Sequence, residues 1–402
     1  MQRQFDTWGV DQRQFWLRGQ EPQELVGYDP ESRMWNVYGH SEASQVLTDH
    51  RTFSSNMMRL MAAEVGADIE EAQAGELLYL DPPRHTRLRR LVNHAFTPKV
   101  LASLEPRVAA LTNELLDQAA VTDRLELVSA LAYPLPVIVI AELLGVPASD
   151  RDQFRRWAES LIPSTGDDVN LVGRFEGQNE VTETTLQQRR EFADYLASHI
   201  EDRRRTPRED LLTGLVHAEV EGERLSDKEI ATLADVLLLA GHVTTTMLLG
   251  NTILCLDAHP EEFARVRADR SRLPAVIEEA LRFVPPFTVT SRVTTVEAEV
   301  GGVTIPADQL VMVWLGAANR DPRVFDDPAA FRPGRDPNPH LTFSRGIHYC
   351  IGAGLARLEG VIALNILFDR YSVIATLPAD PPKFIGSSQM LNAYMMPLAV
   401  SS

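Results

Sequence analysis

Two cysteines stand in the 402 residues, and Cys350 is the one placed for chemistry. It lies in the run Phe343-Ser344-Arg345-Gly346-Ile347-His348-Tyr349-Cys350-Ile351-Gly352-Ala353-Gly354. Gly346, Gly352 and Gly354 let the backbone turn tightly and let a bulky partner approach. A helix start, Leu355-Ala356-Arg357-Leu358-Glu359, follows at once. The helix N-terminus and Arg345 both favour a thiolate here. A lone thiolate cannot build a structural zinc site, which takes four ligands. It can be the single protein bond to a haem iron, where it pushes electron density towards O–O cleavage. The plainer alternative is a small buried apolar residue, a common state of free cysteine. Cys255, inside the apolar run 248–256, fits that alternative.

Other segments carry charge or hydroxyl chemistry at helical spacing. In Asp81-Pro82-Pro83-Arg84-His85-Thr86-Arg87-Leu88-Arg89-Arg90, His85 and Arg89 are four apart and share a helix face. Ala240-Gly241-His242-Val243-Thr244-Thr245 sits inside a long apolar run. Glu279-Ala280-Leu281-Arg282 is an i,i+3 ion pair, which alone means little because such pairs decorate many helices.

In this order and spacing the segments resemble the cytochrome P-450 family, the haem-thiolate monooxygenases. The family's ligand loop, Phe-Gly-x-Gly-x-His-x-Cys-x-Gly, is met from Phe343 to Gly352, with Ser344 where glycine is usual. The resemblance implies haem b, with Cys350 as the iron ligand and Phe343, Gly352 and Ala240 beside it. It implies that His85, Arg89, Arg292 and His348 hold the propionates. Glu279 and Arg282, with Arg335, would form a buried structural triad, in which losing one member strands a charge. Gly241, Thr244 and Thr245 would be catalytic, Thr244 passing protons with the help of water. The acid usual before that threonine is Val243 here, which cannot relay protons. His242 or water could replace it, and Val243→Asp is expected to raise the coupling of reductant to product.

The resemblance further implies a pocket of Leu237, Ala240, Val243, Phe287, Thr288, Val289, Met390 and Leu391. A lipophilic molecule suits such a wall. The implied reaction is hydroxylation or epoxidation with dioxygen. Electrons would come from NAD(P)H through a ferredoxin or flavodoxin and its reductase. Val243 keeps a second reading open, a peroxide-driven or coupling oxidation. A haem ligand sensor or a non-catalytic carrier is the reading from another class.

The resemblance implies a fold that is mainly α with a smaller β region, a single domain over 1–402. The haem would lie between a long central helix and the cysteine loop, and the strands at about 22–56 and 290–312. Hydrophobic residues make up 44%, ample for a core. The sequence shows no 18-residue apolar stretch and opens on polar residues, so neither membrane anchor nor signal peptide is expected. Two cysteines, one needed as thiolate, fit a reducing cytoplasm, and the resemblance implies a monomer. With 39 basic and 56 acidic residues the net charge is −17, which argues against nucleic acid. Basic residues cluster at Arg84, Arg87, Arg89 and Arg90 and again at Arg345 and Arg357; the resemblance implies that both clusters flank the cysteine side of the haem, a positive patch suited to an acidic redox partner.

Local patterns give the positioning elements. Met34–Tyr38 reads as a strand, followed by a helix ending near Leu47. Residues 57–80 read as a loop over the pocket. Helices are expected over 106–120 and 135–145, the second stopped by Gly145 and Pro147. Residues 163–183 read as a mobile lid. Ser226 and Glu229 form a capping box at the start of the central helix. A hairpin is expected over 300–306.

Overall fold

The computed structural model describes residues 5, 8–60, 75–119, 123–161, 183–220 and 222–401. Helices dominate, and seven of them matter for the site. They are α1 (His40–Thr48), α2 (Arg84–Asn93), α3 (Pro98–Gln118), α4 (Pro134–Leu144), α5 (Asp227–Ala258), α6 (Leu273–Phe283) and α7 (Ala353–Arg370).

Helix α5 runs 32 residues. The expected capping box starts it: Ser226 accepts from the Glu229 amide, and the Glu229 carboxylate accepts from the Ser226 amide at 2.9 Å. Its residues are buried almost all round, as an apolar helix without a polar face must be. This corrects one expectation. By length and composition α5 could cross a membrane, but most of its apolar window is buried inside the protein. It is the core helix against which α4, α6 and α7 pack.

Helix α4 ends as expected at Gly145, whose φ of +82° suits glycine. Helix α3 begins eight residues before the expected Pro106. Thr97 caps it and Pro98 takes the first turn, where a missing N–H costs nothing. Pro106 sits inside the helix on its exposed side, where water can serve the freed Ala102 carbonyl.

Strands β1 (Val26–Asp29), β2 (Met34–Val37), β3 (Phe53–Ser54), β4 (Thr290–Thr294) and β5 (Leu310–Val313) form one sheet, ordered β1-β2-β5-β4-β3. Only β2 and β5 pair in parallel. The two expected β regions thus meet in space, and the expected hairpin is present as Ala298–Val300 with Val303–Ile305. Strands also form outside those regions. Val373–Thr376, Pro397–Ser401 and Arg124–Glu126 make a second sheet, with Leu125 opposite Leu398. Lys383–Phe384 pairs with Ala393–Met395, and the chain between them reaches the cavity described below.

Behind the cysteine loop, Glu279 and Arg282 on α6 are fully buried and joined at 2.7 and 2.9 Å. Arg335 Nε reaches the same carboxylate at 3.0 Å, and the Arg332 amide does so at 2.8 Å. Arg282 also donates to the carbonyls of Asn319, Pro328 and Ala330. The triad thus ties α6 to the chain that leads into the loop. Of the expected pocket loop, Met57–Leu60 and Leu77–Tyr79 are short 3-10 turns, while residues 61–74 lie outside the described residues. The expected lid lies outside them too, except for residue 183.

Candidate active site

The loop from Leu341 to Gly352 reverses twice before α7. The Ser344 amide donates to the Leu341 carbonyl at 2.7 Å and the Cys350 amide to the Phe343 carbonyl at 2.8 Å. Gly346 has φ +72°, and a Cβ there would lie 2.6 Å from the Leu47 carbonyl, so only glycine lets the loop lie against α1. Ser344 has φ +61°, the left-handed region where the family's glycine would be at ease.

Cys350 is exposed, its accessible face being part of the cavity wall, while protein packs densely around its other sides. Burial pushes its thiol up; the Gly352 amide and the charges of Arg89 and Arg357 pull it down. Arg345, expected to stabilise the thiolate, instead points to solvent and donates to Ser44 Oγ at 3.2 Å. Arg357 is held by Glu278 at 2.6 and 2.9 Å, with its guanidinium 4.5 Å from the Phe343 ring centre.

The cavity measures about 340 Å³. Cys350, Phe343 and Gly352 line one side, and Leu237, Ala240, Gly241, Thr244 and Thr245 of α5 line another. Ala240 is accessible in mid-helix because it faces this space. Thr244 Oγ1 donates to the Ala240 carbonyl at 2.7 Å, the ordinary back-bond of a helical threonine. A Cβ on Gly241 would come within 2.9 Å of Ile140, so this glycine lets α4 approach α5.

At the cavity edge lie Arg89, Arg292 and His348, with the His85 ring 4.3 Å from that of His348. Both ring nitrogens of His85, and His348 Nε2, are buried without a hydrogen-bond partner among the described residues. Burial, then the Arg89 charge, lowers His85 to about 4. Burial, then Arg292, lowers His348 to about 2. Burial also lowers Arg292 to about 10, with Asp81 opposing. Buried donors gathered around a cation without a strong counter-ion are arranged to receive carboxylates. A thiol, apolar walls and this donor set together fit an iron porphyrin.

Four expected pocket residues do not line the cavity. Val243 and Met390 pack with Met247 and Ile385 in a separate apolar cluster. Thr288 turns outwards and donates to the Ser388 carbonyl at 2.8 Å, while its neighbours Phe287 and Val289 line the wall. An extended chain alternates its sides, so 287 and 289 face in only if 288 faces out. Leu391 is buried in the main core. Between these residues Gln389, missed in the sequence, lines the cavity. Its carbonyl accepts from the Thr288 amide at 2.9 Å. Ile140 and Val236 on the wall were missed as well, having no motif of their own. His242 also faces away: its ring meets Tyr133 edge-on at 4.2 Å, and burial lowers it to about 3. At 100° per residue, positions 240, 241, 244 and 245 share a face that 242 and 243 do not.

Fold and site define the class of haem-thiolate enzymes. The chain belongs to the cytochrome P450 family, whose sequence profile matches residues 12–395. It is 42% identical over 368 residues to Cyclomarin C epoxidase CymV of Salinispora arenicola (strain CNS-205), covering 91% of each protein. It is 41% identical over 340 residues to the Erythromycin C-12 hydroxylase of Saccharopolyspora erythraea, covering 84% of this chain and 82% of that protein. Among solved structures, HmtT, involved in himastatin biosynthesis, superposes with a TM-score of 0.89 at 51% identity, covering 99% of each chain. HmtN, a hydroxylase of the same biosynthesis, gives 0.87 at 46%, also covering 99% of each. The protein is a haem-thiolate monooxygenase, and haem and iron come with its family.

Proposed function

We propose that this chain hydroxylates or epoxidises a lipophilic natural product, with electrons from NAD(P)H delivered through a ferredoxin or flavodoxin and its reductase. The observation that carries this reading is the cavity, with Cys350 on one wall, Thr244 and Gly241 on another and apolar side chains around them. The epoxidase and hydroxylase among the relatives support the same reaction class.

Bound haem would supply the iron that activates dioxygen. Cys350 Sγ would hold it, and His85, Arg89, Arg292 and His348 would take its carboxylates. Thr244 carries a proton on Oγ1 that now serves the Ala240 carbonyl. A change of χ1 turns that proton into the cavity, since helical threonine populates two rotamers. Val243 is aliphatic and packed elsewhere, and His242 stays neutral against Tyr133, so water must resupply Thr244. Leu237, Phe287 and Val289 select an apolar substrate by shape, and Gln389 offers a polar anchor. Arg90 and Arg345 are exposed and suit an acidic redox partner. A continuous apolar core from Phe5 to Val400 supports one domain, and free Cys255 and Cys350 suit a reducing cytoplasm. We take the chain to act as a monomer.

The packing of Val243 favours a second reading, a peroxide-driven or coupling oxidation that needs fewer relayed protons. One experiment separates the two. The holoprotein is titrated with metabolite fractions from its host while the Soret band is followed. Fractions that shift the band to the blue are incubated with NADPH, ferredoxin and reductase, and separately with hydrogen peroxide. Product from the electron chain supports the first reading. Product from peroxide alone supports the second. A protein that binds no haem overturns both.

A further inference from the structure

Ser54 and Ser55 are neighbours whose hydroxyls have different surroundings. Ser54 Oγ donates to Asp81, and the same carboxylate accepts the Ser55 amide at 3.0 Å. The Asp81 carbonyl in turn accepts the His85 amide at 3.0 Å, at the start of α2. Asp81 therefore joins the end of β3 to the helix that carries His85 and Arg89.

The Ser55 hydroxyl is buried and has no hydrogen-bond partner among the described residues, and the residue is 3% exposed. The pairing of β3 with β4 sets Phe53 opposite Thr294 and Ser54 opposite Val293. The strand ends at Ser54, and one further step of that antiparallel register would set Ser55 opposite Arg292. Opposed residues in such a pair share a face and lie close at Cβ. Ser55 and Arg292 both line the cavity that Cys350 lines.

A buried hydroxyl without a partner is rare, and leaving it unpaired is costly. Its partner is therefore sought in whatever fills the cavity. Beside a buried guanidinium, the complementary group is a carboxylate, and an O–H donated to a carboxylate is a strong, short bond. We infer that Ser55 Oγ donates to the carboxylate that Arg292 grips, making Ser55 a further cofactor-binding residue that Asp81 positions. This rests on the haem reading above. A carboxylate of the substrate would offer the same chemistry, so the test is made without substrate.

Substrate-free holoprotein is mixed with excess apomyoglobin, and haem transfer is followed in the Soret band. Ser55→Ala should lose haem roughly tenfold faster than the wild type, as expected for one hydrogen bond to a charged group. Ser55→Thr keeps the hydroxyl and should stay near the wild-type rate. Both wild type and Ser55→Ala are then loaded with haem dimethyl ester, whose groups lose the charge and keep only a weaker carbonyl acceptor, and the difference between them should shrink. Equal rates with ordinary haem, or an undiminished difference with the ester, overturn the inference. If Ser55→Ala does not fold, Ser55→Cys, a weak donor of similar size, replaces it: faster loss of ordinary haem supports the inference, and a wild-type rate overturns it. Wild-type protein that takes up no haem would overturn the proposed function, and this inference with it.

Discussion

Val243 turns its side chain away from the cavity that its neighbour Thr244 lines. The two stand side by side in α5, yet one helical step of about 100° puts Val243 among Met247, Ile385 and Met390. An acid at position 243 would therefore enter an apolar cluster rather than the proton path.

The sequence alone suggests that Val243→Asp should improve coupling, and the packing reverses this. The carboxyl would be held neutral by burial and left without a partner. We expect a loss of about 2–4 kcal/mol, comparable to burying an unpaired polar group, and no gain in product formed per NADPH. Urea unfolding and a coupling assay check both. A clear rise in coupling would show that the cluster opens to water.

Ser344 holds φ at +61°, and its buried hydroxyl has no hydrogen-bond partner among the described residues. Left-handed backbone costs a side-chain-bearing residue about 1–2 kcal/mol, which glycine avoids, while glycine gives back about 0.5–1 kcal/mol in unfolded-state entropy. Ser344→Gly should therefore stabilise by up to about 1 kcal/mol and raise the melting temperature. A lower melting temperature would contradict this.

His242 is buried at 1% exposure and lowered to about 3, with burial as the cause. Its folded value lies below the unfolded value of about 6.5, so the unfolded chain binds its proton first as pH falls. Stability is unaffected by this group above about pH 6.5 and is lost progressively from there towards pH 3. At pH 5 the loss relative to pH 8 is about 2 kcal/mol. His242→Phe keeps a ring against Tyr133 and should remove that part of the acid sensitivity. Parallel urea titrations at pH 8 and pH 5 test it, and identical pH slopes in both proteins would refute it.

Glu279 holds two arginines, Arg282 and Arg335, in a buried setting. Glu279→Ala would strand both charges at a cost of about 3–5 kcal/mol. The expected result is poorly soluble protein with little bound haem. Near-normal expression with a full Soret band would mean the triad is dispensable.

The sequence by itself determined what depends on neighbours along the chain. Gly346 beside the thiol, the Ser226–Glu229 box and the i,i+4 pair of His85 and Arg89 are local, because turns, caps and helix faces depend on residues only a few positions apart. The triad was legible only through the family resemblance, since an i,i+3 pair by itself means little and nothing local ties Arg335 to Glu279. Tertiary structure decided which sides face the cavity. Thr288 and Gln389 lie a hundred residues apart and trade inward and outward places through one backbone pairing. It also chose Arg89 and Arg357, not the adjacent Arg345, as the charges that reach Cys350. The strand pairing of Leu125 with Leu398, and the meeting of Ser55 and Arg292 on one cavity wall, likewise arise from short segments joined across long separations. A three-residue strand has too little pattern to announce itself, and its partner is selected by packing against the shared core.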